Sequence, residues 1–244
     1  MKDYYYDLHM HSSLSPCADD DNTPCNLVGM AMLSGINIIA LTDHNSTRNC
    51  PAFFEAARRY GIIPIAGMEI TTSEEIHAVC LFETLDSAMR FGELIESKLF
   101  PVKNRPDLFG RQLVMDGEDR VTGEVDVLLS NATSVSIEEL AELTAGFGGI
   151  AYPAHIDRES NGIIAVLGTL PENLPFPAVE FNREEKIEEY KERYKIGDKL
   201  VLVSSDAHCL TDVRDAHAFI SLPDGLESES DVVKAFFELM RSHL

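Results

Sequence analysis

Five times along this chain an apolar run stops at a residue of metal-ligand type. Residues 201–208 read V-L-V-S-S-D-A-H and finish on Asp206 and His208. D-L-H-M-H closes a second run at His9 and His11, and I-I-A-L-T-D-H a third at Asp43 and His44. I-P-I-A-G-M-E ends at Glu69, and I-A-Y-P-A-H at His155. Continuous apolar runs are the pattern of strands buried on both faces, and a strand end is a rigid place from which to aim a side chain. Between the first runs lie helices with recognisable punctuation. Thr23-Pro24 supplies an N-cap and a first-turn proline, and that helix stops at Gly35; a second opens at Pro51 and stops at Gly61. Strand, loop, helix, glycine, strand, repeated, predicts parallel βαβ units. Parallel α/β folds collect functional groups at the carboxyl ends of their strands.

Further strands are expected over residues 77–82, 150–153, 178–182, 200–204 and 218–222. Helices are expected over 85–99, from the capping-box spacing of Ser136 and Glu139 to Gly148, and over 184–194 and 231–244. Residues 100–130 break the rhythm with Pro101, Pro106, Gly110, Gly117 and Gly123. They read as an irregular insertion, a cover, within one domain spanning residues 1–244.

Lys and Arg total 20 against 41 Asp and Glu, a net charge of −21. Such a surface repels a long polyphosphate backbone, so tight binding of duplex nucleic acid is not expected. A small phosphorylated substrate is, because bound cations can supply a local positive site. No run of 18 apolar residues offers a membrane span. The N-terminus lacks a signal-peptide core, and the cysteines are odd in number at five, which together predict reduced thiols in the cytoplasm. The oligomeric state is not legible.

A lone histidine is ordinarily a hydrogen-bonded or surface residue, so the argument for a metal site is collective. His9, His11, His44, His77, His155 and His208 lie at or beside strand candidates, with Glu69 and Asp206 among them. His9 and His11 are two apart and point the same way from an extended backbone, so they can share one ion. Glu69 has two oxygens and can bridge two ions; Asp206 and His208 can serve different ions from one turn. Imidazole with carboxylate suits Zn, Mn or Fe, and two to three such divalent ions are expected. Asp7 and Asp43 fit better as groups that orient histidines.

The motifs D-L-H-M-H, L-T-D-H-N, A-G-M-E, P-A-H and S-S-D-A-H, in this order over residues 7–208, resemble those of the PHP (polymerase and histidinol phosphatase) family. The resemblance implies a distorted TIM-like (β/α)7 barrel with a site of two or three metals and phosphoesterase activity. It implies that His9, His11, Glu69 and Asp206 hold one metal and that Glu69, His77 and His155 hold a second. His44 and His208, with one residue of the first loop, would hold a third. That loop departs from the family: many members read S-D-G-x-x-T-P, where this chain has S-P-C-A-D-D-D-N-T-P. Counting forward from the H-x-H pair places the ligand at Cys17. Counting back from Thr23-Pro24 places it at Asp19, the register favoured by the fixed helix start.

The expected activity is hydrolysis of a small phosphomonoester or short nucleotide by a hydroxide bridging the metals, with Glu69, Asp206 and His208 carrying catalysis. Arg158, three residues after His155, is the leading phosphate clamp, with Arg183 and Arg48 as weaker candidates. Two rival readings are a non-catalytic or regulatory PHP module and a metal-dependent amidohydrolase. The second favours a carbamylated lysine at a strand end, and no lysine precedes a ligand position here.

Overall fold

The computed structural model describes residues 1–244. Strand β1 (Lys2–Met10), helix α1 (Pro24–Leu33), strand β2 (Ile38–Leu41), helix α2 (Cys50–Tyr60) and strand β3 (Ile63–Thr71) form the two βαβ units read from the sequence. Their strands pair in parallel. Thr23 caps α1 by accepting from the Asn26 amide, with Pro24 in the first turn. Gly61 ends α2 at φ +69°, a left-handed conformation that glycine adopts without a Cβ penalty.

The next strand, β4 (His77–Phe82), runs the other way. It is antiparallel to β3, with Thr71 opposite His77, and antiparallel to β7 (Gly149–Pro153) on its other side, with Ala78 opposite Pro153. Between β4 and β7 come α3 (Leu85–Glu96), the short α4 (Pro106–Phe109), a hairpin of β5 (Leu113–Met115) with β6 (Val121–Glu124), and α5 (Ile137–Ala145). The capping box on α5 is formed as expected, Ser136 and Glu139 each bonding the other's backbone. Helix α6 (Ile163–Leu167), strand β8 (Ala178–Phe181), helix α7 (Ile187–Tyr194), strand β9 (Leu200–Val203), strand β10 (Phe219–Leu222) and helix α8 (Glu229–Arg241) complete the chain.

The main sheet has the order β10-β1-β2-β3-β4-β7, and β8 with β9 forms a separate parallel pair. Two links bring the pair to the sheet. The Ile156 amide donates to the Glu180 carbonyl at 2.8 Å beyond β7, and Met10 bridges Ala207 beyond β9. The fold is α/β with the strand ends gathered on one rim, while ladder pairing is not continuous round seven parallel strands. The reason is local. β3 turns straight back into β4 through residues 72–76, too short for the helical crossover that a parallel neighbour needs.

Two apolar clusters flank the sheet. One of 39 residues joins it to helices such as α1 and α2, and one of 21 joins Tyr6, Leu8, Tyr152 and Leu202 to Phe236, Phe237 and Met240 of α8. The insertion of residues 100–130 is partly regular, and it clasps the first loop. The Leu113 amide donates to the Ser13 carbonyl at 2.8 Å, and Asp119 accepts from the Cys25 amide at 3.0 Å. No helix is long and apolar enough to cross a membrane.

Candidate metal centre

His9 and His11 lie at the end of β1, where the ladder with β2 shifts register between Asp7 and Met10. Both imidazoles are fully buried, and their Nε2 atoms lie 3.1 Å apart. Glu69, within β3, is the hub. One of its oxygens is 2.8 Å from His77 Nδ1, 3.0 Å from His155 Nε2 and 3.5 Å from His9 Nε2. The other is 3.0 Å from His44 Nδ1 and 3.4 Å from His11 Nε2. Asp206 Oδ1 is 3.3 Å and 3.2 Å from His9 and His11 Nε2, and 3.6 Å from His208 Nδ1. His77 reaches this rim because β4 is reversed: the first residue of an antiparallel strand lies beside the last residues of its neighbours.

Several atoms in this buried ring make no hydrogen bond: Nδ1 of His44, His77 and His155, and Oδ1 of Asp206. Buried polar atoms without partners would be costly in a metal-free core, and donor atoms gathered in this way are what a set of cation ligands presents. Three groups of donor atoms each lie within 4.8 Å of one another: His9, His11 and Asp206; His44, Glu69 and His77; His11, His44 and His208. The residues therefore fit divalent ions of the imidazole- and carboxylate-binding kind.

The electrostatics agree. Burial pushes Glu69 up, and the imidazoles of His77, His9 and His44 more than reverse this, holding the carboxyl well below its usual range. Asp206 is lowered against its burial by His9 and His11. Burial lowers His9, but the carboxylates of Glu180, Asp206 and Glu69 raise it well above its usual value. His11 is driven well down by burial and by His208 and His44. Two backbones here are left-handed without glycine, His155 at φ +26° and Asp206 at φ +52°. Such residues cost about 1–3 kcal/mol each and persist where the surroundings impose them.

Outside the ring, Asp43 reaches an imidazole through Ser15, whereas Asp7 bonds backbone amides. Asp43 accepts from the Ser12 amide at 2.7 Å and from Ser15 Oγ at 2.7 Å, and Ser15 Oγ lies 2.9 Å from His11 Nδ1. Asp7 accepts from the His9 and Ser205 amides. Glu180 was not anticipated. It lies 2.8 Å from His9 Nδ1, and its only sequence signal is a charge inside the apolar strand A-V-E-F.

In the first loop the Asp19 side chain is exposed, its amide donates to the His208 carbonyl at 2.9 Å and its carbonyl accepts from the Asn22 amide at 3.0 Å. Desolvation raises the Cys17 thiol, and the imidazoles of His208 and His44 outweigh this, leaving it down at about 6. The longer loop turns back on itself, the Ala18 amide donating to the Ser15 carbonyl and the Asn22 amide to the Asp19 carbonyl.

Of the three arginines, Arg158 alone touches the ring, donating from Nη1 to Asp206 Oδ2 at 2.5 Å. Arg48 does not approach it; its guanidinium forks onto Glu96 at 2.7 and 2.8 Å on the surface. Arg183 faces Asp157, with Nε 3.6 Å from its carboxylate. Arg214, which the sequence did not single out, lines a wholly polar cavity of about 590 Å³ with Arg158, Asn182, Asp206 and His208. A second cavity of about 390 Å³ shares Asn182 and Arg214 and adds Arg183 and His217.

A 5'-3' exoribonuclease of Haemophilus influenzae is 40% identical over 79 residues, which is 31% of this chain and 28% of that protein. The lesion-specific endonuclease PfuEndoQ from Pyrococcus furiosus superposes with a TM-score of 0.66 at 16% identity, over 99% of this chain and 56% of that one. Endonuclease Q has also been solved with a 27-mer duplex bearing an abasic lesion at the active site, and that complex matches with a TM-score of 0.63 at 15% identity over 98% and 57%. A protein of Bifidobacterium adolescentis described as a metal-dependent phosphoesterase matches with a TM-score of 0.55 at 18% identity, over 96% of each chain. This chain thus spans less than a third of the exoribonuclease and little over half of the endonuclease. These matches overturn the expectation that excluded duplex nucleic acid and favoured a small phosphorylated partner. Net charge is a sum over the whole surface, whereas a polyanion meets a local field. Here the rim carries Arg158 and Arg214 beside a site built for cations. The PHP domain model matches residues 7–195, and with it the chain belongs to the PHP domain family, the phosphoesterase family that its motifs resemble.

Proposed function

We propose that this protein is a metal-dependent hydrolase of phosphodiester bonds in nucleic acid. The observation that carries the reading is the open polar cavity, flanked by Arg158 and Arg214, into which the buried ring of imidazoles and carboxylates faces through Asp206 and His208. Its continuation past Asn182 and Arg214 suits a strand longer than one nucleotide. The relatives that act on nucleic acid by name support the same substrate class.

In this reading His9, His11, Glu69 and Asp206 hold one ion, Glu69 with His77 and His155 a second, and His44 and His208 with Cys17 a third. Bound there, divalent ions supply Lewis acidity to phosphate oxygens and make water more acidic. The protein's own part is positional. Glu69 ties the ligand sets into one rigid unit, so the reacting phosphate is held in place without reorganisation. Arg158 can turn from Asp206 to a non-bridging phosphate oxygen, where its planar fork pairs in bidentate fashion. Arg214, its Nη2 fixed to the Asn182 carbonyl at 2.9 Å, keeps other N–H groups for the flanking backbone. All five cysteines are free, which supports a reducing, cytoplasmic setting.

The test is end-labelled single-stranded and duplex oligonucleotides, in DNA and RNA, incubated with the Mn-loaded protein beside an aryl phosphate monoester. Shortening of a strand at rates above monoester turnover is expected. Turnover of the monoester alone, or none with a full metal complement, would overturn the reading.

A further inference from the structure

We infer that Glu180 is a positioning residue of the metal centre: it holds His9 in the tautomer and orientation that present Nε2 to a cation, and it ties the backbone of His155 to the same frame. The inference rests on the reading of His9 as a ligand. Glu180 Oε1 lies 2.8 Å from His9 Nδ1 and accepts from the His155 amide at 3.1 Å. With a carboxylate oxygen as the acceptor, the neutral imidazole carries its hydrogen on Nδ1 and leaves the Nε2 lone pair facing His11, Glu69 and Asp206.

The rest of the side chain argues against a merely structural role. Glu180 is fully buried, and its Oε2 has no partner. The hydrogen bonds it does make, both through Oε1, go to two members of the ring. Asp157, a buried carboxylate nearby, instead accepts from the Asn182 and Arg183 amides and shapes a turn. Burying a carboxylate carries a large desolvation penalty that only good pairing offsets, and the pairing here lies wholly within the centre. His155 gives the second anchor a purpose. At φ +26° its backbone needs an outside constraint, and the Glu180 carboxylate supplies one. His11 is held in a comparable way, through Ser15 to Asp43, so each imidazole of the H-x-H pair has its outer nitrogen fixed. Partners of this kind, removed, weaken metal binding roughly 10–100-fold.

Glu180→Leu keeps the volume and removes the acceptor, whereas Glu180→Gln keeps an oxygen for both donors. The full chain of each is stripped of metal and titrated with Co²⁺, followed by ligand-field absorption. Nitrogen-15 spectra of the metal-free histidines, recorded above the pH at which His9 gives up its second proton, read the tautomer independently. For E180L one Co²⁺ should bind roughly 10–100-fold more weakly, with loss of the pure Nδ1–H form of His9. E180Q should stay near wild type in both readouts. Wild-type titration by E180L, or E180Q as weak as E180L, would overturn the inference. Should E180L fail to fold, Glu180→Asp replaces it. Its shortened carboxylate is withdrawn from His9, so weakened Co²⁺ binding is expected and wild-type binding overturns the role. A wild-type protein that takes up no Co²⁺ would instead sink the metal-centre reading beneath it.

Discussion

The end of β1 and the loop that follows it share one rim, yet they hold their side chains by different means. His9 and His11 are fully buried, and each has its outer nitrogen anchored, to Glu180 or through Ser15 to Asp43. Cys17, six residues past His11, is exposed and lies within the influence of His44 and His208. Its loop is positioned from outside, by the hairpin of the insertion. There the Leu113 amide bonds Ser13, and Gly110 comes so close to the Pro16 carbonyl that no Cβ would fit. The contrast teaches that a strand end sets direction through the sheet itself, while a loop needs a second segment to do so.

The largest expected effect lies on the strand-held side. Glu69→Ala removes the hub touched by five imidazoles, so it should release more than one ion and lower the rate by roughly 10³-fold or more. Elemental analysis with single-turnover assays measures both, and wild-type metal content with wild-type rate would break the comparison at its strong end.

On the loop-held side, Cys17→Ser should lose one ion only and reduce activity by roughly 10–100-fold, while Asp19→Asn keeps all ions and activity. Loss of an ion from the Asp19 variant with retention by the Cys17 variant would reverse the assignment of the loop.

Arg158→Ala tests a group that touches the ring without belonging to it. Metal content should be unchanged and kcat/KM should fall by roughly 10–100-fold, the worth of one charge-assisted bond to phosphate. An unchanged kcat/KM would return Arg158 to a simple partner of Asp206.

The smallest effect belongs to Arg48→Ala. Its pair with Glu96 is half exposed, so stability should change by about 0.2–1 kcal/mol and activity not at all. A rate loss there would show that the rim extends beyond the two polar cavities.

Much of this centre was legible in the sequence because strand periodicity is local. Apolar runs ending in H-x-H, D-H, G-x-E, P-A-H and D-A-H mark where a buried strand meets the rim, and His9, His11, His44, Glu69, His155, Asp206 and His208 meet there. The capping box at Ser136 and the glycine stop at Gly61 were equally local and formed as read. What the sequence could not specify depends on contacts between distant segments. His77 was a candidate ligand from the sequence, but the reversal of β4 that brings it to the rim is a matter of strand pairing that leaves no mark on H-A-V-C-L-F itself. Glu180 lies 171 residues from the imidazole it holds, and Arg214 gains its place only when the turn after β9 folds beside Asn182. Cys17 and Asp19 are both plausible ligands by type and by spacing. The path of the loop governs which of them can come near the ring, and the insertion packed against it helps to set that path. Periodicity and capping are governed by neighbours within a few residues, whereas register, loop path and the partners of a buried charge are governed by what the rest of the chain brings alongside.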